Sequence, residues 1–244
     1  DRNFVTCNIF GFFTGLMLFS TMALFPPMMQ TLLGYSVWQA GLISMPRGIG
    51  TFISMFLVGR LVGRLDIRLL LLTGLTLSTV ALWMMTQFDL SMDTAPMVTS
   101  GLVQGLGMGF LFTPLSVLAF ATLSPHLRPE ATSVFTLVRN VGSSVGIALM
   151  TAILAHQVSV SHSDMAAAIQ PGSPEVSASL ANQFNPATDA GIQVLNGEIT
   201  RQASMVAYVD VFRLMMVMTL GAIPLLLIMR PPRLAVAEAE IVVD

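Results

Sequence analysis

Six long apolar stretches divide the chain, and polar connections separate them. A helix that crosses a bilayer needs about 20 mostly apolar residues, whereas the strands of a membrane barrel are shorter and alternate in polarity. The pattern therefore predicts an all-α membrane protein with six transmembrane helices. The expected spans are 8–30, 37–59, 67–88, 96–123, 131–155 and 206–229.

One connection is much longer than the others. Residues 1–155 should hold five helices joined by short loops, 156–205 a long outer loop, 206–230 the sixth helix and 231–244 a cytoplasmic tail. Pro171-Gly172 and Asn185-Pro186 interrupt the long loop, and Ser173 to Glu175 is typical of a helix start. We expect a solvated loop with short helical pieces, in which residues 189–201 extend the sixth helix. A gating or partner-binding role is the alternative.

Arginine collects in every second connection, and the chain contains no lysine. The connections on the opposite side hold Arg201 together with Asp89, Asp93, Asp164, Glu175, Asp189 and Glu198. Since basic residues favour the cytoplasmic side of a membrane, both termini are predicted to be cytoplasmic. The arginines on that side are Arg2, Arg60, Arg64, Arg68, Arg128, Arg230 and Arg233.

Composition supports a membrane location and argues against several classes of function. Charged residues are 10% of the chain, against about a quarter in soluble domains, and the mean hydropathy is +0.78. The net charge of −2 does not suggest a nucleic-acid partner. Cys7 is the single cysteine, and the three histidines lack metal-ligand spacing. The spans also lack a catalytic constellation, so we expect no enzyme activity, metal or cofactor.

Three arginines lie inside the predicted spans, where each costs roughly 2.5–3.5 kcal/mol on insertion scales. Arg47 follows Pro46, and this proline should kink the second helix. Arg47 has two possible roles: it lines a path for substrate or protons, or it pairs with a carbonyl or carboxylate and joins two helices. Asp210 and Arg213 are spaced i,i+3 and can pair. Asp210 is also a candidate proton carrier, and the internal ion pair is the alternative.

The fifth span contains Arg139 and Asn140, followed by Gly142 and Gly146 at GxxxG spacing. Small residues at this spacing let another helix approach closely, so close packing is the favoured role of the two glycines. The polar pair then lies beside that helix contact.

The fourth span is rich in small residues, which allow tight packing or bending. Gln104 is its one strongly polar side chain, and it is either a substrate contact or an interhelical hydrogen-bonding group. The chain also has 18 methionines, which suit either apolar packing or a pocket for varied ligands. The packing positions are Gly101, Gly105, Gly107, Gly109 and Pro114.

The connection after the second span resembles the GxLxDRxGR(R/K) loop that follows the second helix of each half in the major facilitator superfamily. The chain departs from this loop at three positions. Gly63 stands where the loop has its acidic residue, Asp66 where it has its second glycine, and Ile67 where it has the arginine that follows that glycine. The matching positions are Gly59, Leu61, Arg64 and Arg68.

The stretch from Gly41 to Gly48, the glycine run of the fourth span and the stretch from Arg139 to Gly146 resemble the fourteen-helix drug:proton antiporters of the EmrB/QacA type. The resemblance implies the C-terminal half, built from two inverted three-helix repeats. It implies that the first and fourth helices line a central cavity, that the second and fifth meet the other half, and that the third and sixth face lipid. Gln104 is then a cavity residue, and Arg47 and Arg139 are candidate interdomain contacts.

The function implied by this resemblance is proton-coupled efflux of amphipathic small molecules by alternating access. A proton gradient, not a cofactor, would supply the energy. The implied partners are the lipid bilayer, the N-terminal half of the same transporter and a periplasmic adaptor, in the bacterial inner membrane. The initial Asp1 is also expected of a fragment. A non-transporting membrane scaffold or partner-binding module is the alternative.

Overall fold

The computed structural model describes residues 2–121, 123–168 and 189–228. Within these ranges the chain is helical and contains no β-sheet. Six of the helices are long and apolar enough to cross a membrane, which confirms the predicted spans. They are α1 (Arg2–Thr31), α2 (Val37–Leu61), α3 (Ile67–Met85), α4 (Thr94–Ala121), α5 (Arg128–Ala168) and α6 (Asp189–Ile228), with a 3-10 turn at Pro125–Leu127.

Polar side chains define where helices begin. Ser36 caps α2 and forms a capping box with Gln39, so two otherwise unpaired backbone N–H groups find acceptors. Asp66 caps α3 by accepting a bond from the Arg68 N–H at 3.0 Å. Between α3 and α4, the hydroxyl and the N–H of Ser91 both donate to Asp89, which holds the pKa of that carboxyl below its usual value.

The predicted loop at 156–205 begins too early, whereas the predicted extension of the sixth helix over 189–201 is present. Helix α5 continues to Ala168, because no proline or glycine follows Gly146 within it. Helix α6 begins at Asp189, as expected of an extension of the sixth span. The predicted breaks at Pro171-Gly172 and Asn185-Pro186, the helix start at 173–175 and the tail at 231–244 lie outside the described residues.

The two helical extensions contact each other beyond the predicted spans. His162 of α5 and Asn196 of α6 share a hydrogen bond of 2.9 Å between ring Nε2 and amide Oδ1. Near the same end of the bundle, Arg201 donates from Nε to the carbonyl of Leu32, just after α1 ends. The sixth helix is thus attached to both α5 and α1.

Helix pairing follows the arrangement of two inverted repeats. Helix α1 packs along α5, α2 packs along α4, and α3 contacts both α4 and α6. In such repeats α1, α2 and α3 are equivalent to α4, α5 and α6, in that order. The contact of α1 with α5 is then equivalent to the contact of α4 with α2, and the contact between α3 and α6 is its own equivalent. The bundle therefore has the internal relationship expected of one half of a major facilitator superfamily fold.

The interior contains two apolar clusters with a polar level between them. One cluster includes Phe25, Met28 and Phe212, and the other includes Phe10 and Leu71. Between them lie buried side chains that can hydrogen bond, and the three threonines among them donate to carbonyls of their own helices. These residues are Thr14, Thr21, Ser78, Gln104 and Thr219.

Candidate functional site

Helices α1 and α5 touch through their backbones at the glycines. A Cβ atom on Gly15 would lie 2.5 Å from the carbonyl oxygen of Arg139, and one on Gly146 would lie 2.5 Å from that of Leu16. Gly142 meets the carbonyl of Phe12 in the same way. Distances this short leave no room for a side chain, so α1 and α5 pack closely at Gly142 and Gly146.

Helices α2 and α4 make the matching contact. Gly105 lies against the carbonyl of Arg47, Gly109 against the hydroxyl of Ser54, and Gly50 against the carbonyl of Leu102. Beside them, Gly107 faces Ser78 of α3, Gly101 faces the Arg47 Cβ at 3.9 Å, and Pro114 is buried within α4.

Arg47 and Arg139 occupy equivalent places in the two repeats. Each backbone carbonyl lies against a glycine, Gly105 for Arg47 and Gly15 for Arg139. The guanidinium carbon of Arg47 is 5.1 Å from the ring centre of Phe25 on α1. That of Arg139 is 5.4 Å from the ring centre of Phe112 on α4.

The sequence carries a signal for this equivalence that motif reading missed. The stretch from Arg47 to Ser54 reads R-x-x-G-x-x-x-S, and the stretch from Arg139 to Gly146 reads R-x-x-G-x-x-x-G. In both copies the small residues face the partner helix. Aligning α2 with α5 would have revealed the repeat.

Arg47 is buried yet lacks a polar partner within the described part of the chain. Only 7% of the residue is exposed, and its Nε and Nη2 atoms are buried without a hydrogen bond. The ring of Phe25 supplies a cation–π contact, which compensates part of the lost hydration. The alternative in which Arg47 pairs with a carbonyl or carboxylate is therefore not seen among these residues.

Arg47 also lines an open cavity of about 750 Å³ between α1, α2 and α4. The wall is mostly apolar and includes four methionines, Met22, Met45, Met55 and Met108. Two hydroxyls in the wall are engaged with their own helix, since Ser44 donates to the carbonyl of Ala40 and Thr51 to that of Arg47. Such a cavity can accept an apolar body with a polar end.

Gln104 of α4 faces the interior of the helix bundle. It is 1% exposed and lines an enclosed cavity of about 10 Å³ among α1, α3, α4 and α6. Both polar atoms of its amide, and the hydroxyl of Ser78, are buried with no hydrogen-bond partner among the residues described. A contact between Gln104 and a substrate stays a prediction.

Asp210 and Arg213 lie in contact one helical turn apart on α6. The Nη1 atom of Arg213 lies 3.6 Å from Oδ1 of Asp210, and Gln157 of α5 donates to Oδ2 at 3.3 Å. The side chains are 33% exposed for Asp210 and 63% for Arg213.

The loop after α2 turns at Gly63, which has φ of +94°, and ends where Asp66 caps α3. Gly59 and Leu61 belong to the last turn of α2, whereas Arg64 is an exposed loop residue. Asn140 is exposed on α5. In the described ranges, no cluster of three or more His, Cys, Asp or Glu side chains could hold a metal ion.

The chain belongs to the Major Facilitator Superfamily, whose family model matches residues 7–163. It is 26% identical to the multidrug export protein EmrB of Haemophilus influenzae and 24% identical to the fatty acid resistance protein FarB of Neisseria gonorrhoeae. Each match covers 95% of this chain and 46% of the relative.

A multidrug resistance protein B homolog of Mycobacterium tuberculosis is 31% identical over 153 residues, which is 62% of this chain and 28% of the relative. The chain thus spans about half the length of the curated relatives that it matches along most of its residues. It is a multi-pass membrane protein of a transporter family.

Proposed function

We propose that this chain is the C-terminal half of a proton-coupled exporter of amphipathic small molecules that works by alternating access. The observation that carries the proposal is Arg47, a buried cation without a polar partner in the described structure, on the wall of a large cavity in a membrane helix bundle. Ionisable groups inside membrane proteins commonly mark a transport path. The names of two relatives, a multidrug export protein and a fatty acid resistance protein, support efflux of apolar compounds.

The contacts between repeats suggest how such a half could move. Backbones meet directly along α1–α5 and α2–α4, so each pair can act as a stiff unit. Alternating access requires units of this kind to rock about a site near the membrane midplane. The N-terminal half of the transporter would cover the exposed faces of α2 and α5 and complete the cavity.

The remaining parts of the proposal concern location and partners. The arginine distribution supports both termini in the cytoplasm, and the bacterial relatives support a location in the inner membrane. A proton gradient would supply the energy, and a periplasmic adaptor is a further proposed partner. The carriers of the coupled proton would lie mainly in the other half, so this chain alone is expected not to transport.

Drug susceptibility and dye efflux in cells test the proposal. A strain lacking the gene would receive the full-length transporter or its Arg47→Gln, Arg139→Gln or Gln104→Ala variant, with expression matched by immunoblotting. The wild type should restore resistance and efflux, an uncoupler should abolish efflux, and the variants should be impaired. Full resistance from all three variants at equal expression would reject a transport role for these residues, and a well-expressed wild type that gives neither resistance nor efflux would favour a scaffold that does not transport.

A further inference from the structure

One side of α6 that the bundle leaves uncovered changes from polar to apolar along the helix. Its residues are spaced three or four apart, so they share one helical face, and each is at least partly exposed. They are Val206, Asp210, Arg213, Val217 and Leu220. The charged pair is followed by two apolar side chains, which is the order of polar and apolar parts in a phospholipid.

The charged pair lies at the level where α3 ends. Helix α3 has 19 residues, or about 29 Å, which is close to the thickness of the hydrocarbon core, so its ends mark the edges of that core. Phe88 lies in the connection after α3, and its ring centre is 6.3 Å from that of Phe212, the neighbour of Arg213. Arg213 also reaches back towards Asp210 and the N-terminus of α6, as helix side chains do. The pair therefore lies at the height of lipid headgroups.

Arg213 has hydrogen-bond donors to offer a phosphate. Its Nη1 atom lies 3.6 Å from Oδ1 of Asp210, which is close enough for an ion pair and too long for a hydrogen bond. The side chain is mostly exposed, and a planar guanidinium matches two oxygens of a phosphate. An arginine at the edge of the hydrocarbon core extends its charged end towards the headgroups, where phosphate is the available anion.

Asp210 adds an acceptor for a cation beside this arginine. Gln157 of α5 donates to its Oδ2 atom at 3.3 Å, and one third of the carboxylate side chain stays exposed. A carboxylate in this position attracts a cation and repels a second anion. A headgroup that joins an ammonium to its phosphate by a short linker can therefore engage both residues. A primary ammonium has N–H groups to donate to the carboxylate, whereas a quaternary ammonium has none.

A second ion pair on α6 has the same spacing and lies in different surroundings. Glu198 and Arg201 are in contact at 3.3 Å, in the same order along the chain. Arg201 also donates to the carbonyl of Leu32, and Gln202 donates to Glu198. This pair is engaged by protein groups and lies about 18 Å along the helix from Arg213. It serves as an internal comparison for the lipid-facing pair.

We propose that Asp210 and Arg213 bind the headgroup of a phospholipid that carries a primary ammonium beside its phosphate, of the phosphatidylethanolamine type. Arg213 donates to the phosphate, and Asp210 accepts from the ammonium. The exposed side chains of Val217 and Leu220 contact the acyl chains. This lipid site goes beyond the proposed transport, because it lies on the surface of the bundle and not in the cavity beside Arg47.

Native mass spectrometry of the full-length transporter tests the headgroup preference. The delipidated protein would be titrated with phosphatidylethanolamine, phosphatidylcholine or phosphatidylglycerol of identical acyl chains. Phosphatidylethanolamine should bind at least about threefold more tightly than either of the others, a factor suited to partly exposed ionic contacts. Phosphatidylcholine lacks the ammonium N–H groups, and phosphatidylglycerol reveals a general attraction for anions. Equal or weaker binding of phosphatidylethanolamine by the wild type would overturn the proposal, even if no variant folds.

Two substitutions assign the preference to this pair. Asp210→Asn should lower the affinity for phosphatidylethanolamine to that for phosphatidylcholine and leave the latter unchanged. Arg213→Gln should weaken the binding of both lipids, because both present a phosphate. Glu198→Gln is the matched control, since it alters an ion pair of the same spacing on the same helix and should keep the wild-type preference. An unchanged preference in a folded Asp210→Asn protein would contradict the proposal, as would its loss in Glu198→Gln.

Discussion

The carbonyl oxygen of Arg139 on α5 lies 2.5 Å from the point that a Cβ atom on Gly15 of α1 would occupy. The other repeat reproduces this relationship between Arg47 of α2 and Gly105 of α4. Each arginine therefore has its backbone fixed at a helix crossing while its side chain reaches an aromatic ring on a neighbouring helix. The same local arrangement thus positions both arginines.

Gly105→Ala should destabilise the transporter because the new Cβ would collide with the backbone of Arg47. Overpacking of this kind costs about 1–3 kcal/mol, so the melting temperature in detergent should fall by several degrees. Gly48→Ala is the control, since nothing lies within 4 Å of its Cβ position and alanine is the better helix former. A fall of equal size in both variants would contradict the close crossing.

Gln104→Leu should leave the melting temperature unchanged or raise it. Both polar atoms of the amide are buried without a hydrogen-bond partner among the described residues. Burying a polar group without such a partner costs roughly 1–3 kcal/mol of stability, and leucine has no polar group to bury. Gln104→Glu has nearly the same shape and should lower the melting temperature, because it buries an ionisable group. If leucine is clearly destabilising, the amide has a partner in the intact transporter.

Asp210→Asn should retain most of the efflux activity in cells. The carboxyl lies in a partly exposed contact with Arg213 and Gln157, and not inside the bundle. A double-mutant cycle of Asp210→Asn and Arg213→Gln should give a coupling energy below about 1 kcal/mol. Complete loss of efflux at normal expression would identify Asp210 as a proton carrier and contradict this expectation.

Arg201→Gln should loosen the end of α1, because it removes the 3.1 Å bond from Arg201 Nε to the carbonyl of Leu32. Hydrogen–deuterium exchange should accelerate at residues 32–36 by about fivefold, corresponding to about 1 kcal/mol for one hydrogen bond. Glu198→Gln alters the exposed ion pair of Arg201 but keeps that bond, so it should leave exchange nearly unchanged. Equal protection in both variants would show that the bond contributes nothing.

Hydropathy alone predicts the six spans, because lipid imposes a minimum length on each of them. Their ends are less well predicted. The extension of α5 to Ala168 was missed because the polar residues after Ala155 suggested a loop, whereas helix formation requires only the absence of breakers and contacts with α6.

The candidate site is only partly encoded in local sequence. The GxxxG spacing predicts the crossing at Gly142, since packing depends on residue size at fixed intervals. Whether Arg47 has a partner depends on α1 and α4, which local spacing does not describe. The surroundings of Gln104 depend on distant helices for the same reason, because the orientation of α4 directs it towards α1, α3 and α6.

The most direct test of the proposed transport function is flux in proteoliposomes that contain the full-length protein. An acidic lumen is imposed, and uptake of an amphipathic dye by the inside-out molecules is followed by fluorescence. The account predicts uptake that depends on the pH gradient, stops when an ionophore collapses it and is strongly reduced by Arg47→Gln. Absence of gradient-dependent uptake by correctly folded wild-type protein would contradict it.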